Sequence, residues 1–324
     1  MLPEMLRNLL IGFLLLLLIL GISFTYLAIK YFPKDLWVVL KSLNKKYLLY
    51  TLVSLIFFHT FDTLRVIVLA RALKIRYSLW YGYFVSFINT FGATVTPAHL
   101  GGEVLPLYTL TRKGGQFYQV LTVITMKGFS GFFFYLLFFP LTLQSLISDP
   151  RQAKEFIGIV GSLLILSVLT FLFYKFLIKK EGIFKKELVN KVKMILFRYI
   201  ITCKIFFKTR KGEFFLALLL SLGMYFTYLL EGVFLVKAFN PSAREIEVFL
   251  DQLPLLYAIF ISPTPGGSGV GELGALPIFS AYVSQENLGL FVILWRILSQ
   301  YFSAFIGGVL FFIFLFEDLR KYAS

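Results

Sequence analysis

Charge-free apolar runs dominate the chain. Residues 9–29 hold 21 positions without an ionisable side chain, and a helix of that length rises about 31 Å, enough to cross a bilayer core. The run is too long for the apolar part of a secretory leader, and no small-residue cleavage pattern follows it, so it predicts an uncleaved first span. Further spans are predicted at 47–70, 116–141, 156–178, 214–239 and 288–316. Two other stretches, 78–110 and 246–283, are apolar but interrupted. The first break reads Thr94-Val95-Thr96-Pro97-Ala98-His99-Leu100-Gly101-Gly102-Glu103, the second Pro263-Thr264-Pro265-Gly266-Gly267-Ser268-Gly269-Val270-Gly271-Glu272. Proline removes a helical donor and glycine favours open backbone, so no helix continues through either. Irregular backbone at membrane depth is tolerated only inside protein or along a wet cavity. Each stretch therefore predicts a re-entrant hairpin of two half-helices.

Composition sharpens this pattern. Hydrophobic residues make up 58% of the 324 positions and charged residues 15%, against about 25% charged in an ordinary soluble domain. A soluble enzyme or binding module of this composition would expose too much apolar surface, and disordered chains lack such aromatic content. The expected fold class is an all-α polytopic membrane protein. It forms one membrane domain over 1–324, with about six spanning helices and two broken-helix hairpins.

The net charge of +15 is read as topology and lipid contact, with no nucleic-acid partner, because basic residues collect in cytoplasmic loops and face anionic headgroups. Residues 179–213 carry 11 Lys/Arg and 3 Asp/Glu, a balance of +8, more than half of the excess. That makes the segment cytoplasmic. Phe184, Leu188, Val192, Leu196, Tyr199, Cys203 and Phe207 step by three or four within it, the spacing of an amphipathic helix at the inner leaflet. Both termini then fall inside, while the basic loop 33–46 falls on the opposite side from that rule. Cys203, the lone cysteine, can form no intrachain disulfide.

Shifting the chain by 169 residues lays Asp62 on Glu231, Gly102 on Gly271, Glu103 on Glu272 and Lys127 on Arg296. Ionisable residues within apolar spans are rare, so three coincidences at one offset argue for an internal repeat. The two copies run 47–141 and 214–316. One extra crossing between them would invert the second, the layout of transporters whose broken helices meet near the midplane.

The chemistry follows from those positions. Each half-helix after a break points free N–H groups and the positive end of its dipole into the membrane, a setting for an anion such as a lipid phosphate. Gly101, Gly102, Thr264, Gly266, Gly267, Gly269 and Gly271 would allow the close backbone approach. Glu103 and Lys127 lie 24 residues apart, as do Glu272 and Arg296, so an acid and a base are expected to meet in each repeat. All four are expected to converge on one substrate-binding site, with His99 contacting a headgroup. Asp62 and Glu231, deep in their spans, are candidates for proton or charge coupling, and Arg65 stands one turn from Asp62 as its local partner. His59 lies three residues before Asp62. No metal-ligand cluster, nucleotide-binding loop or catalytic constellation is present in the sequence, so no metal, cofactor or enzyme activity is expected.

The first break, followed by Thr111-Arg112-Lys113-Gly114-Gly115, and the second break with Arg296 resemble the membrane domain of the lysylphosphatidylglycerol synthase/flippase family over about residues 47–316. The resemblance implies a flippase moving a phospholipid or lipid-linked headgroup between leaflets of the cell inner membrane. Its expected partners are anionic or aminoacylated phospholipids, with further copies of itself in a homo-oligomer. The two-domain members add a soluble synthase domain. This chain ends at Ser324, soon after its last apolar run, so a stand-alone membrane domain without synthase activity is expected. A membrane transferase on a lipid-linked substrate, or an accessory subunit of a lipid synthase, are the alternatives. Lys127 stands in the first half where Arg296 stands in the second, and lysine keeps the charge without binding phosphate bidentately.

Overall fold

The computed structural model describes residues 2–96, 99–148 and 186–323, and among these the regular structure is helical. Helix α1 (Leu2–Lys30) turns Leu10, Leu14, Leu18 and Ile22 outward, the surface expected against lipid tails. A short α2 (Leu36–Ser42) is capped by Asp35, whose carboxylate accepts from the Val38 amide at 3.2 Å. Helix α3 (Lys45–Ala72) is capped by Asn44 in the same way, and α4 (Leu79–Val95) by Ser78. Each cap satisfies an amide that the first helical turn leaves without a partner.

After the first break come α5 (Gly101–Thr111) and α6 (Phe117–Ser148). The described chain resumes with α7 (Lys186–Thr209) and α8 (Lys211–Phe239). Then α9 (Glu245–Ile261) leads through a tight turn, Pro265–Gly267, to α10 (Val270–Phe279). The last span is built of α11 (Gln285–Arg296), a π turn at Ile297–Tyr301, and α12 (Phe302–Ala323).

Five helical stretches among the described residues are long and apolar enough to cross a membrane: Leu10–Lys30, Lys45–Ala72, Phe117–Gln144, Lys211–Phe239 and Gln285–Lys321. They correspond to five of the six expected spans, and the sixth, at 156–178, lies outside the described residues. The protein is an all-α multi-pass membrane protein. Of the basic segment 179–213, the part from 186 onward is helical.

Both interrupted stretches fold back on themselves. Within the first, Thr96 closes the end of α4 and opens α5. Its hydroxyl donates to the Gly92 carbonyl at 2.7 Å and accepts from the Gly101 amide at 2.6 Å. The two helices meet backbone to backbone there, because a Cβ on Gly101 would lie 2.3 Å from the Gly92 oxygen. Farther along, the Tyr81 hydroxyl donates to the Thr109 carbonyl at 2.7 Å. In the second, Gly266, Gly267 and Gly269 all take left-handed backbone, with φ of 60°, 65° and 82°, which only glycine adopts without strain. The turn they form packs Gly267 against Ile259 and returns α10 alongside α9.

Two apolar clusters hold the bundle. One gathers Val66, Ile88, Leu105, Met126 and Phe311 around α4 and α5. The other gathers Leu229, Val248, Leu253, Phe279 and Phe291 around α9 and α10. Helices α3 and α8 form the most extensive contact between them. The order span, broken pair, span thus occurs once in α3–α6 and again in α8–α12.

Candidate functional site

A cavity of about 410 Å³ opens between these two groups of helices. Asp62 and Arg65 face it from α3, Asn89 and Thr94 from α4, and His99, Gly102 and Glu103 from the first break. Lys127 and Tyr135 line it from α6, Tyr225 and Tyr228 from α8, and Gln300 from the π turn. Its lining is therefore both charged and aromatic.

Two ion pairs stand in the cavity wall. Lys127 Nζ lies 3.1 Å from Glu103 Oε1 and donates to the Gly102 carbonyl at 2.9 Å. The Arg65 guanidinium pairs with Asp62 and reaches Ser221 Oγ at 3.2 Å, whose hydroxyl donates onward to Ser130 at 3.0 Å. The other Asp62 oxygen accepts from Ser86 Oγ at 2.6 Å. Ser86 has a single proton, so with that proton on Asp62 it accepts from His59 Nδ1, 2.9 Å away. His59 Nε2 is then the acceptor for Ser303 Oγ at 2.7 Å. His59 thus ties α3 to α4 and α12, and it is not among the cavity-lining residues.

Several polar atoms in this wall have no hydrogen-bond partner among the described residues. They include both ends of the Asn89 amide, His99 Nδ1 and Glu103 Oε2. A buried polar group left unpaired costs about 1–3 kcal/mol. With Arg65 Nε and Ser299 Oγ, six such atoms belong to residues lining the cavity, so it offers donors and acceptors to a polar ligand or water.

The second acid–base pair is built differently. Glu272 and Arg296 are both fully buried, with Arg296 Nε 2.8 Å from Glu272 Oε1. Arg296 Nη2 donates to the Gly266 carbonyl and to Tyr301 Oη, each at 3.0 Å, and the Tyr301 hydroxyl donates to Glu272. Glu272 also accepts from the Gly269 amide and so caps α10. Gly271 makes room for the guanidinium, since a Cβ there would lie 2.7 Å from its central carbon. Glu103 and Glu272 each occupy the third position of the helix after a break, where a carboxylate complements the positive helix end.

The sequence-predicted residues are thus brought together in two groups. Asp62, Arg65, His99, Gly102, Glu103 and Lys127 share the cavity. Glu272, Arg296, Gly266, Gly267, Gly269 and Gly271 form a closed buried knot beside it, in which Thr264 Oγ1 bonds the Ser268 carbonyl at 2.8 Å. The four charged partners do not share one surface: Glu272 and Arg296 are absent from the cavity lining, and Arg296 turns Nε and Nη2 to Glu272, the Gly266 carbonyl and Tyr301, while its Nη1 has no hydrogen-bond partner among the described residues. Gly101 serves the contact between α4 and α5. Glu231 is buried in α8 away from the cavity wall, and neither carboxyl oxygen has a hydrogen-bond partner among the described residues.

Asn89, Tyr225, Gln300 and Tyr301 were not singled out by sequence. The available signal was the run Ser299-Gln300, two polar residues inside an apolar span, at the place where the helix widens into a π turn. Such widenings recur at functional positions.

The sequence profile of the lysylphosphatidylglycerol synthase TM region matches residues 9–307. The chain belongs to this family. It is also similar to a protein named UPF0104 membrane protein from Archaeoglobus fulgidus, 21% identical over 311 residues, covering 90% of this chain and 94% of that one. No solved structure matches the chain. What matches is the membrane region of the lysylphosphatidylglycerol synthases, so membership speaks for a lipid-related membrane role.

Proposed function

We propose that this member of the family is a flippase-like transporter that takes a phospholipid headgroup into the cavity while the acyl chains stay in lipid. One observation carries the reading: a cavity of about 410 Å³ that combines two ion pairs with unpartnered polar atoms on Asn89, His99 and Glu103. Lys127 would engage the phosphate, and the free oxygen of Glu103 a cationic group of the same headgroup. The aromatic lining of Tyr135, Tyr225 and Tyr228 suits an ammonium group as well, because aromatic faces attract cations.

In this reading the two folded-back pairs are re-entrant hairpins of an inverted repeat, and movement of one half against the other opens the cavity to alternate leaflets. The Glu272–Arg296 knot fixes the second hairpin so that the Thr94–Gln300 contact can register its position. Asp62 sets the charge of the cavity through Arg65, and Glu231 is a separate buried carboxyl available for proton coupling. The membrane concerned is the cell inner membrane.

Reconstitution in liposomes carrying fluorescent lipids tests this. The wild-type chain should render inner-leaflet probe accessible to an external quencher, and Lys127→Met and Asn89→Leu should slow that exchange. If wild-type protein moves no lipid with or without a pH gradient, transport is the wrong class of function.

A further inference from the structure

A second groove lies on the opposite side of α6, where α7 docks. The docking is specific. Tyr199 and Thr125 share a hydrogen bond of 2.9 Å between their hydroxyls, Cys203 Sγ lies 3.8 Å from Thr122 Oγ1, and Phe206 is completely buried. Beside this seam runs a groove of about 590 Å³. Its floor is apolar: Phe129 from α6 and Ile200 and Phe207 from α7, with the fully buried Met126 behind them. Phe129 and Ile200 remain 53% and 48% exposed, on a face that the spanning helix α6 turns away from the protein core.

The rim is cationic. Lys204, Lys208 and Lys211 line the same groove, the first two one turn apart on α7 and the third at the start of α8. Among the described residues none of the three has a carboxylate within ion-pair distance, and the nearby Glu213 is taken by Arg210 at 3.0 Å. An apolar floor on a membrane span, bordered at one end by three unneutralised ammonium groups, has the chemistry of a phospholipid turned inside out.

We propose that this groove is a binding site for one anionic phospholipid, its phosphate held by Lys204, Lys208 and Lys211 and an acyl chain laid over Phe129, Ile200 and Phe207. The site is separate from the central cavity and does not depend on what that cavity carries. Charge complementarity selects the occupant. A zwitterionic lipid offers the same chains without net charge. A soluble anion would gain nothing from the apolar floor. The lipid would fasten α7 to α6 and so fix the amphipathic helix at the membrane surface.

The experiment uses the full chain in mild detergent and counts retained lipid by native mass spectrometry during titration with dioleoyl phosphatidylglycerol or dioleoyl phosphatidylcholine. Wild type should retain phosphatidylglycerol in preference to phosphatidylcholine. The variant Lys204→Gln/Lys208→Gln/Lys211→Gln should lose phosphatidylglycerol by about fivefold per lysine removed, the factor expected for a basic residue facing an anionic headgroup. The charge-matched control Lys34→Gln/Lys41→Gln/Lys45→Gln should behave as wild type. Equal losses in the two triple variants, or none in either, would overturn the site. Displacement of the lipid by sn-glycerol 3-phosphate would overturn it too, in favour of a soluble-anion site. On unaltered protein, a phosphatidylglycerol with a photoreactive acyl chain should crosslink within 126–129 and 200–207. Crosslinks spread evenly over the lipid-facing helices would count against it.

Discussion

Gln300 joins the two broken helix pairs through one nitrogen. Its Nε2 donates to Thr94 Oγ1 at 3.1 Å, at the end of α4, and to the Gly266 carbonyl at 3.0 Å, in the second break. Thr94 in turn donates to the Thr90 carbonyl at 2.7 Å, and Gly266 also accepts from Arg296. Gln300→Leu therefore removes a bridge while leaving both of its acceptors another partner. The expected loss of stability is small, about 1 kcal/mol. The expected loss of lipid exchange in liposomes is larger, because the two halves no longer register each other's position. Equal exchange rates for the variant and wild type would show that this bridge transmits nothing.

The Glu272–Arg296 pair predicts the opposite balance. Neither side chain has any exposure, so Arg296→Met leaves a carboxylate buried without its counter-charge, at a cost of about 3–5 kcal/mol. Glu272→Gln leaves the guanidinium in the same position. Removing both should cost less than the sum of the two single changes, since the double variant leaves no lone charge. Unfolding in mixed micelles, arranged as a double-mutant cycle, checks this. Strict additivity would mean that the two groups are not coupled.

The same contrast explains what could be read from sequence. The 24-residue separation of each acid and base, and their shared 169-residue offset, pointed to Glu103–Lys127 and Glu272–Arg296 because a charge inside an apolar span needs a partner. Both breaks were visible as runs of Pro and Gly. Sequence did not separate the open pair from the closed one. That difference depends on Tyr301, which lies 29 residues from Glu272, and on the Gly266 carbonyl, a backbone group with no sequence signature. Asn89 was hidden for a related reason: its spacing in α4 is ordinary, and only the neighbouring helices show that its amide lacks partners. Lys204, Lys208 and Lys211 were legible as basic positions, whereas the apolar floor beneath them required the docking of α7.

Glycine positions give a test of the folded-back geometry that is independent of charge. A Cβ on Gly101 would overlap the Gly92 carbonyl oxygen at 2.3 Å. Backbone cannot yield as a side chain can, so Gly101→Ala should destabilise the protein by about 1–3 kcal/mol through overpacking. Gly128 lies in α6 beside the cavity, and a Cβ there meets nothing within 4 Å. Gly128→Ala should leave stability unchanged or slightly raised, since alanine is the better helix former. Fluorescence-monitored gel filtration after a temperature series compares the two. A tolerated Gly101→Ala would mean that α4 and α5 do not touch where described.

Lys127 separates binding from folding most directly. Lys127 is 9% exposed and its partner Glu103 44%, so the pair is half-open to the cavity, and losing it should cost about 1–3 kcal/mol, less than losing the fully buried Glu272–Arg296 pair. Lys127→Met preserves the length and apolar stem of the side chain while deleting the ammonium and its bond to the Gly102 carbonyl. The variant should lose less stability than Arg296→Met does, yet lose most of its lipid exchange. Lys127→Arg should keep the charge and restore part of the rate, with a guanidinium able to grip phosphate through two parallel hydrogen bonds. A Lys127→Met protein that is well folded and transports at the wild-type rate would remove the first pair from the mechanism and leave the cavity without its cationic anchor.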